Sequence, residues 1–182
     1  MDSGGNVYVG GHTWGSIDGY TKSGTLDGIV AKYDANGNKL WSRQVGGGQV
    51  IFQGAAVDSS GNAYFGGLLS GTLDGKSSGS SGVSAAIVKY DSGGNRLGTE
   101  ILGSYGSNKF WGMAADSGSV YAAGEIGSSV SGQSFAGGQG DMVVAKYSKV
   151  TASVSTPTNF AAILKSLSAI LQSLQNMLGA MR

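Results

Sequence analysis

Asp58-Ser59-Ser60-Gly61-Asn62-Ala63-Tyr64-Phe65-Gly66-Gly67 has a counterpart on either side of it in the chain. Upstream stands Asp2-Ser3-Gly4-Gly5-Asn6-Val7-Tyr8-Val9-Gly10-Gly11. Downstream, one residue shorter, stands Asp116-Ser117-Gly118-Ser119-Val120-Tyr121-Ala122-Ala123-Gly124. A second block keeps the same order: Ile29-Val30-Ala31-Lys32-Tyr33-Asp34, then Ala86-Ile87-Val88-Lys89-Tyr90-Asp91, then Val143-Val144-Ala145-Lys146-Tyr147-Ser148. Tyr33, Tyr90 and Tyr147 are 57 residues apart both times, so the first 150 residues are three copies of one unit.

Each period reads as four short strands. Gly54-Ala55-Ala56-Val57 leads into an Asp-X-X-Gly-Asn turn and then into Ala63-Tyr64-Phe65-Gly66-Gly67. A polar Gly/Ser-rich connection precedes the Ile-Val-Lys-Tyr strand. A second turn of the same type, Asp34 to Asn38 or Asp91 to Asn95, then gives a segment such as Lys39-Leu40-Trp41-Ser42-Arg43-Gln44-Val45. The turn has a mechanism: the Asp carboxylate bonds the backbone amides of the turn, and Gly takes the positive φ of a tight reversal. Four short antiparallel strands per period describe a β-propeller blade, and no segment between 1 and 150 carries helical periodicity. The expected fold is all-β, with three four-stranded propeller-type blades in an incomplete ring and one C-terminal amphipathic α-helix.

The pattern Asp-Ser-X-Gly-Asn-X-Tyr-X-Gly-Gly, followed by Val-Ala-Lys-Tyr-Asp-X-Asn-Gly-Asn-X-Leu-Trp, resembles the SBBP (seven-bladed β-propeller) repeat family over about residues 2–149. The first copy matches best. The resemblance implies a bacterial secreted or cell-surface protein and no particular activity. Later copies depart from the pattern: Gly98 stands where the first copy has Trp41, and Ser148 replaces the turn-forming Asp.

Three blades do not close a ring, since propellers use roughly four to eight. The first copy also lacks its preceding strand, and the third has at best Val150 to Val154 as a closing strand. Exposed sheet edges invite pairing. Upstream blades of a longer chain would complete the ring; so would a second chain, giving six blades, while head-to-tail stacking would give a filament.

Composition supports a folded, weakly charged, extracellular type of chain. Glycine accounts for 34 residues, charged residues for 13% and apolar residues for 40%, the last in regular short runs that argue against disorder. Residues 1–150 carry 10 cations and 11 anions, net −1, and the tail adds Lys165 and Arg182. No polybasic run exists, which disfavours nucleic acid as a partner. Absence of cysteine excludes disulfides, thiolate metal sites and cysteine nucleophiles. Met1 abuts the first repeat without a signal-peptide pattern, as expected of a piece or a processed form of a larger secreted propeller protein.

Pro157, the single proline, ends a linker over 151–157. Over 158–182, Thr158 or Asn159 is placed to cap a helix. Phe160, Ile163, Leu167, Ile170, Leu174, Met177 and Met181 then recur at spacings of 3-4-3-4-3-4, widened by Leu164, Leu171 and Leu178. That is a heptad seam, and its ten large side chains need cover from other chains, from the protein's own sheet or from a membrane surface. Lys165, Gln172, Gln175 and Asn176 interrupt it too often for a transmembrane segment.

Candidate chemistry is sparse. His12 is the sole histidine and reads as a loop-edge polar residue. Most acidic residues fall in repeat-equivalent turns, and no pair stands out for glycosidase work. Asp34, Asn36 and Asn38 alternate like the start of a calcium loop, but Lys39 stands where that loop wants Gly, and turn formation accounts for them. Lys32, Lys89 and Lys146 recur on the strand face opposite Ala31 and Tyr33, either as a polar face with stems along a neighbouring blade or as an anion site. Trp14, Tyr20, Tyr105, Trp111 and Phe135 lie in or near connections, where aromatic faces can stack a sugar, with Trp14, Tyr20 and Trp111 as the candidates and blade packing as the plainer role for Trp111 and for Trp41 and Phe110. No cofactor is implied. The expected function is that of a non-enzymatic structural protein, self-associating through blades and helix; a carbohydrate-binding propeller module is the alternative, and an enzyme would need groups from other blades.

Overall fold

The computed structural model describes residues 1–79, 82–103, 105–116, 118–130, 134–137 and 140–148. Linker 151–157 and helix 158–182, with the seam Phe160, Ile163, Leu164, Leu167, Ile170, Leu171, Leu174, Met177, Leu178 and Met181, lie outside the described residues, as does the closing segment Val150 to Val154.

Within the described residues the protein is all-β. The strands are β1 (Val7–Thr13), β2 (Asp27–Tyr33), β3 (Lys39–Val45), β4 (Gly48–Val57), β5 (Ala63–Leu73), β6 (Lys76–Ser77), β7 (Gly82–Tyr90), β8 (Arg96–Leu102), β9 (Gly106–Ser107), β10 (Lys109–Ala115), β11 (Ser119–Ile126) and β12 (Asp141–Ser148). They form three sheets, ordered β1-β2-β3, β4-β5-β7-β8 and β10-β11-β12, with β6 on β5 and β9 on β7. Neighbours on each path are antiparallel. Sheet boundaries follow the repeat: among the described residues only the middle copy has both flanking strands.

One bond pattern closes the reversals. Asp58 Oδ1 accepts from the amides of Ser60 (2.8 Å) and Asn62 (3.0 Å), and Oδ2 accepts from Asn62 Nδ2 (3.0 Å). Asp2, Asp34 and Asp91 repeat it on Asn6, Asn38 and Asn95. Asp116 holds Gly118 and Ser119 in the shortened third version. The two turns of one copy lie side by side: a Cβ at Gly5 would stand 3.1 Å from Ala35 Cβ, and one at Gly61 3.1 Å from Ser92 Cβ.

The sheets stack face to face, with one apolar layer at each contact. Between the first and second lie Tyr8, Val30, Trp41, Val50, Phe52, Phe65, Val88 and Tyr90, with ring pairs Phe52–Phe65, Phe65–Tyr90 and Trp41–Tyr90 at 5.9–6.0 Å. Between the second and third lie Tyr64, Ala85, Ile87, Phe110, Val120, Ala122, Val143 and Ala145. Alternation along each strand sends odd and even positions to opposite layers, so the middle sheet feeds both. A parallel link ties each contact at the strand starts: Leu26 bridges Gln49, and 57–58 residues on, Val83 pairs Ser107.

Connections on the far side of the turns run along the outer strand. Asp18 accepts from Lys39 Nζ and Ser42 Oγ, both at 2.6 Å. Its equivalent Asp74 accepts from Thr99 Oγ1 (2.6 Å) and pairs with Arg96 (2.9 Å). Both aspartates sit at positive φ, 49° and 51°, in Asp-Gly reversals. These connections keep polar groups over β3 and β8, which otherwise present strand edges to solvent.

Candidate functional site

Three copies of a polar unit stand out once side chains are placed. In each, the first turn's Asp accepts from the hydroxyl of a Tyr on the following strand, and a Lys from the next strand lies over that ring. Tyr8, Tyr64 and Tyr121 donate to Asp2, Asp58 and Asp116 Oδ2, all at 3.0 Å. Lys32, Lys89 and Lys146 Nζ stand 5.2, 5.4 and 5.4 Å from those ring centroids. Register explains the set, since Tyr8 pairs with Lys32, Tyr64 with Lys89 and Tyr121 with Lys146 across neighbouring strands. Directly opposed residues share a face, so the recurrent Lys and Tyr were bound to meet. The expectation of a Lys stem along a neighbouring sheet takes a definite form at Lys32. It is buried, and its Nζ donates to the Ser92 carbonyl of the next sheet at 3.4 Å.

The ionisation of these groups follows from their bonds. Asn6, through its side-chain amide and its backbone N–H, holds the Asp2 carboxyl down to about 2, with the Tyr8 hydroxyl and Gly4 amide adding to the effect against some desolvation. At Asp58 burial works the other way, but donors from Asn62, Tyr64 and Ser60 outweigh it and the carboxyl stays below its ordinary range. Burial, then the adjoining carboxylates, push the Tyr8 and Tyr64 hydroxyls well up. Such tyrosines stay protonated as donors and are unsuited to act as bases. Their arrangement anchors turns to strands.

Asp34, Asn36 and Asn38 adopt the same turn as the other copies: Asp34 Oδ1 accepts from the Asn36 and Asn38 amides (2.9 and 2.8 Å), and Asn38 turns its Nδ2 to Asp34 Oδ2. The identical bonding at Asp91, where Gly93 replaces Asn36, shows that the turn needs no third oxygen ligand. Among the described residues no three of His, Asp and Glu converge on a point. None of the described strands is joined by a helix long and apolar enough to cross a membrane.

The three aromatics separate. Trp14 is 71% exposed on the β1–β2 connection. Tyr20 is half-buried and donates its hydroxyl to the Ser42 carbonyl (3.0 Å), which fastens that connection to β3. Trp111 is 50% exposed because the β10–β11 register skips it: Phe110 pairs Gly124 and Gly112 pairs Ala123. Gln53 is skipped in the same way on β4. A bulged residue turns away from the layer that holds its neighbours, so Phe110 is buried while Trp111 is not. Lys109 Nζ lies 5.4 Å from the Trp111 ring centroid and 2.9 Å from Glu125. Sequence reasoning missed this Lys109–Trp111–Glu125 cluster; the equivalence of Gln53 and Trp111, 58 apart, was the available signal. No ring contact joins Trp14, Tyr20 and Trp111 among the described residues.

The largest unsatisfied feature is surface. In the first sheet, the face away from the stack carries Val7, Val9, Ala31 and Tyr33, equivalents of Ala63, Phe65, Val88 and Tyr90. Val9 is 47% exposed where Phe65 is 0%. In the third sheet, the outward face carries Tyr121, Ala123, Met142, Val144 and Lys146, equivalents of Tyr64, Gly66, Ala85, Ile87 and Lys89. Met142 is 84% exposed where Ala85 is 0%. Gly11 tells the same story at a strand edge. A Cβ at its equivalents Gly67 and Gly124 would run into the carbonyls of Ile51 and Lys109 on β4 and β10, whereas one at Gly11 meets nothing within 4 Å.

No protein-family model matches the chain, and no curated protein sequence matches it.

Proposed function

We propose that the protein is a non-enzymatic structural building block, a set of propeller-type blades that self-associates in the bacterial extracellular space or on the cell surface. The observation that carries this reading is that Val7, Val9, Ala123 and Met142, on the two sheet faces just described, are exposed among the described residues, while their equivalents Ala63, Phe65, Gly66 and Ala85 inside the stack are buried. Apolar positions built to a buried pattern are a burden on a lone molecule and an asset to an assembly. The polar groups point the same way: the repeated Asp, Tyr and Lys side chains are engaged with one another and with turn amides. The SBBP-like repeat, the low charge and the heptad seam of residues 160–181 fit a secreted assembling module. Ring closure with further blades, from an upstream part of a longer chain or from a second chain, belongs to this reading.

Light scattering of the full chain is the test. A multimeric mass is expected, falling when Leu167 and Leu174 are both replaced by Asp. A monomer at all concentrations in the unaltered chain would sink the reading.

Carbohydrate binding is the second reading, favoured by the exposed Trp111 ring with Lys109 and Glu125 beside it. An exposed aromatic face flanked by hydrogen-bonding groups suits a sugar ring. A glycan array should then show binding by the unaltered chain that Trp111→Ala abolishes, with Trp14→Ala and Tyr20→Ala as comparisons.

A further inference from the structure

We infer that one copy of the chain docks head to tail on another, with the outward face of β10-β11-β12 against the outward face of β1-β2-β3. The inference rests on the self-association reading and specifies its geometry.

Each internal contact joins two unlike faces. One carries a Tyr and a Lys: Tyr8 and Lys32 in the first contact, Tyr64 and Lys89 in the second. The other carries an apolar strand pair ending in a Tyr: Phe65, Val88 and Tyr90 in the first contact, Ala122, Ala145 and Tyr147 in the second. After both contacts are made, one face of each kind is left, and they lie on the two end sheets. Tyr121 and Lys146 mark one, and Val9, Ala31 and Tyr33 mark the other. Joining them continues the relation that already links the three sheets. Pairing like with like would set Lys146 against Lys146.

Side-chain sizes fit the unlike pairing. Inside the stack the residue two after the Tyr is glycine, because the partner is bulky. A Cβ at Gly10 would come within 3.0 Å of the Phe65 ring and 3.1 Å of Phe52, and one at Gly66 within 2.9 Å of Met113 Cγ. On the third sheet this residue is Ala123, and the residue it would meet on a second copy is Val9 in place of Phe65. A methyl is added on one side and a ring is traded for a smaller isopropyl group on the other, which leaves room for the added methyl.

The polar end matches as well. Lys32 Nζ reaches the Ser92 carbonyl within the Asp91–Asn95 turn. Lys146 of one copy would meet the equivalent Asp34–Asn38 turn of the next, a cation against an acidic turn. Among the described residues that turn is open on the relevant side: Gly94 is covered by Trp41, whose ring would lie 2.8 Å from an added Cβ, but nothing described lies within 4 Å of one at Gly37. A surface that joins unlike patches closes into a ring or runs on as a filament, and either follows from this contact.

The chain has no cysteine, so introduced thiols are unique. Val9 and Ala123 are both exposed and accept Cys without disturbing a layer. Treated with a short bis-maleimide, the Val9→Cys, Ala123→Cys double variant should give covalent dimers or a longer ladder. A mixture of the two single variants should stop at dimers, and each single variant alone should stay monomeric. Cross-linking of a single variant by itself would establish like-on-like docking and overturn the inference. So would a double variant that fails to link although the unaltered chain has a multimeric mass, as when residues 149–182 or a different protein cover the face. A monomeric unaltered chain would instead remove the self-association reading beneath it. As a second check, Ala123→Phe should lower the multimeric mass with the circular dichroism spectrum unchanged; an unaltered mass would also overturn the inference.

Discussion

The indole Nε1 of Trp41 donates to the backbone carbonyl of Ser92, 3.2 Å away and one sheet over. The same ring lies across Gly94, so that a Trp on the outer strand of one copy is the cover of the second turn of the next. This explains two departures from the repeat as a single event. Where the middle copy has Gly98 in place of Trp41, the following copy has Ser148 in place of the Asp that would start the covered turn. The tryptophan and the Asp of the turn it would cover are absent together, which fits their being partners.

Trp41→Ala should therefore destabilise the chain by about 3–5 kcal/mol, the range for truncating a buried large aromatic. Trp41→Phe keeps most of the contact with Tyr8 and Tyr90 but loses the bond to Ser92, and should cost about 1–2 kcal/mol. Gly98→Trp should not restore anything, because Gly98 sits at φ +148°, a conformation that side chains rarely adopt. Urea unfolding midpoints would rank the three; a stabilised Gly98→Trp variant would contradict the pairing of Trp and turn.

Glycines 11, 67 and 124 hold equivalent positions and should respond differently to the same change. Gly67→Ala and Gly124→Ala drive a methyl into a backbone carbonyl of the adjacent strand, which has little room to yield. Each should lose about 1–3 kcal/mol. Gly11→Ala points into open space and should stay within about 0.5 kcal/mol of the parent. Thermal unfolding of the three single variants gives the comparison, and equal losses at all three would remove the argument for an open edge at β1.

The turn carboxylates set the acid limb of stability. Asp2 sits at about 2 against an ordinary 3.8, and Asp34, Asp58, Asp91 and Asp116 are also held low by amide donors. A carboxyl whose folded value is depressed adds stability that is complete above its unfolded value and disappears as pH falls toward the folded one. Stability should thus be flat above about pH 5 and fall between about pH 4 and 2. Asp58→Asn, at a buried turn with four donors, should lose about 2 kcal/mol at neutral pH. It should also flatten the acid limb. A pH series of urea midpoints for parent and variant tests both, and an unchanged acid slope would refute the role given to Asp58.

How far the sequence reached differs between fold and site. The periodic Asp-X-X-Gly-Asn turns and the alternating strands between them fix the order of the main strands, β6 and β9 apart, because both are local: a carboxylate reaches amides two and four residues on, and pleating sorts neighbours to opposite faces. The Tyr–Lys pairs were equally implicit, as opposed residues on adjacent strands. Trp111 was harder to place, since nothing in a linear pattern announces that one residue will be skipped in a ladder. Its ring was expected to serve packing or a sugar, and the bulge between Phe110 and Gly112 is what leaves half of it in solvent.

Short-range bonding within each copy thus settled strand, turn and facing partner from the amino-acid order alone. Which of the equivalent faces ended up covered was decided only by the stacking of the sheets, because burial depends on what lies across the gap. Phe65 and Val9 occupy the same place in the repeat; among the described residues one has a neighbouring sheet against it and the other has none.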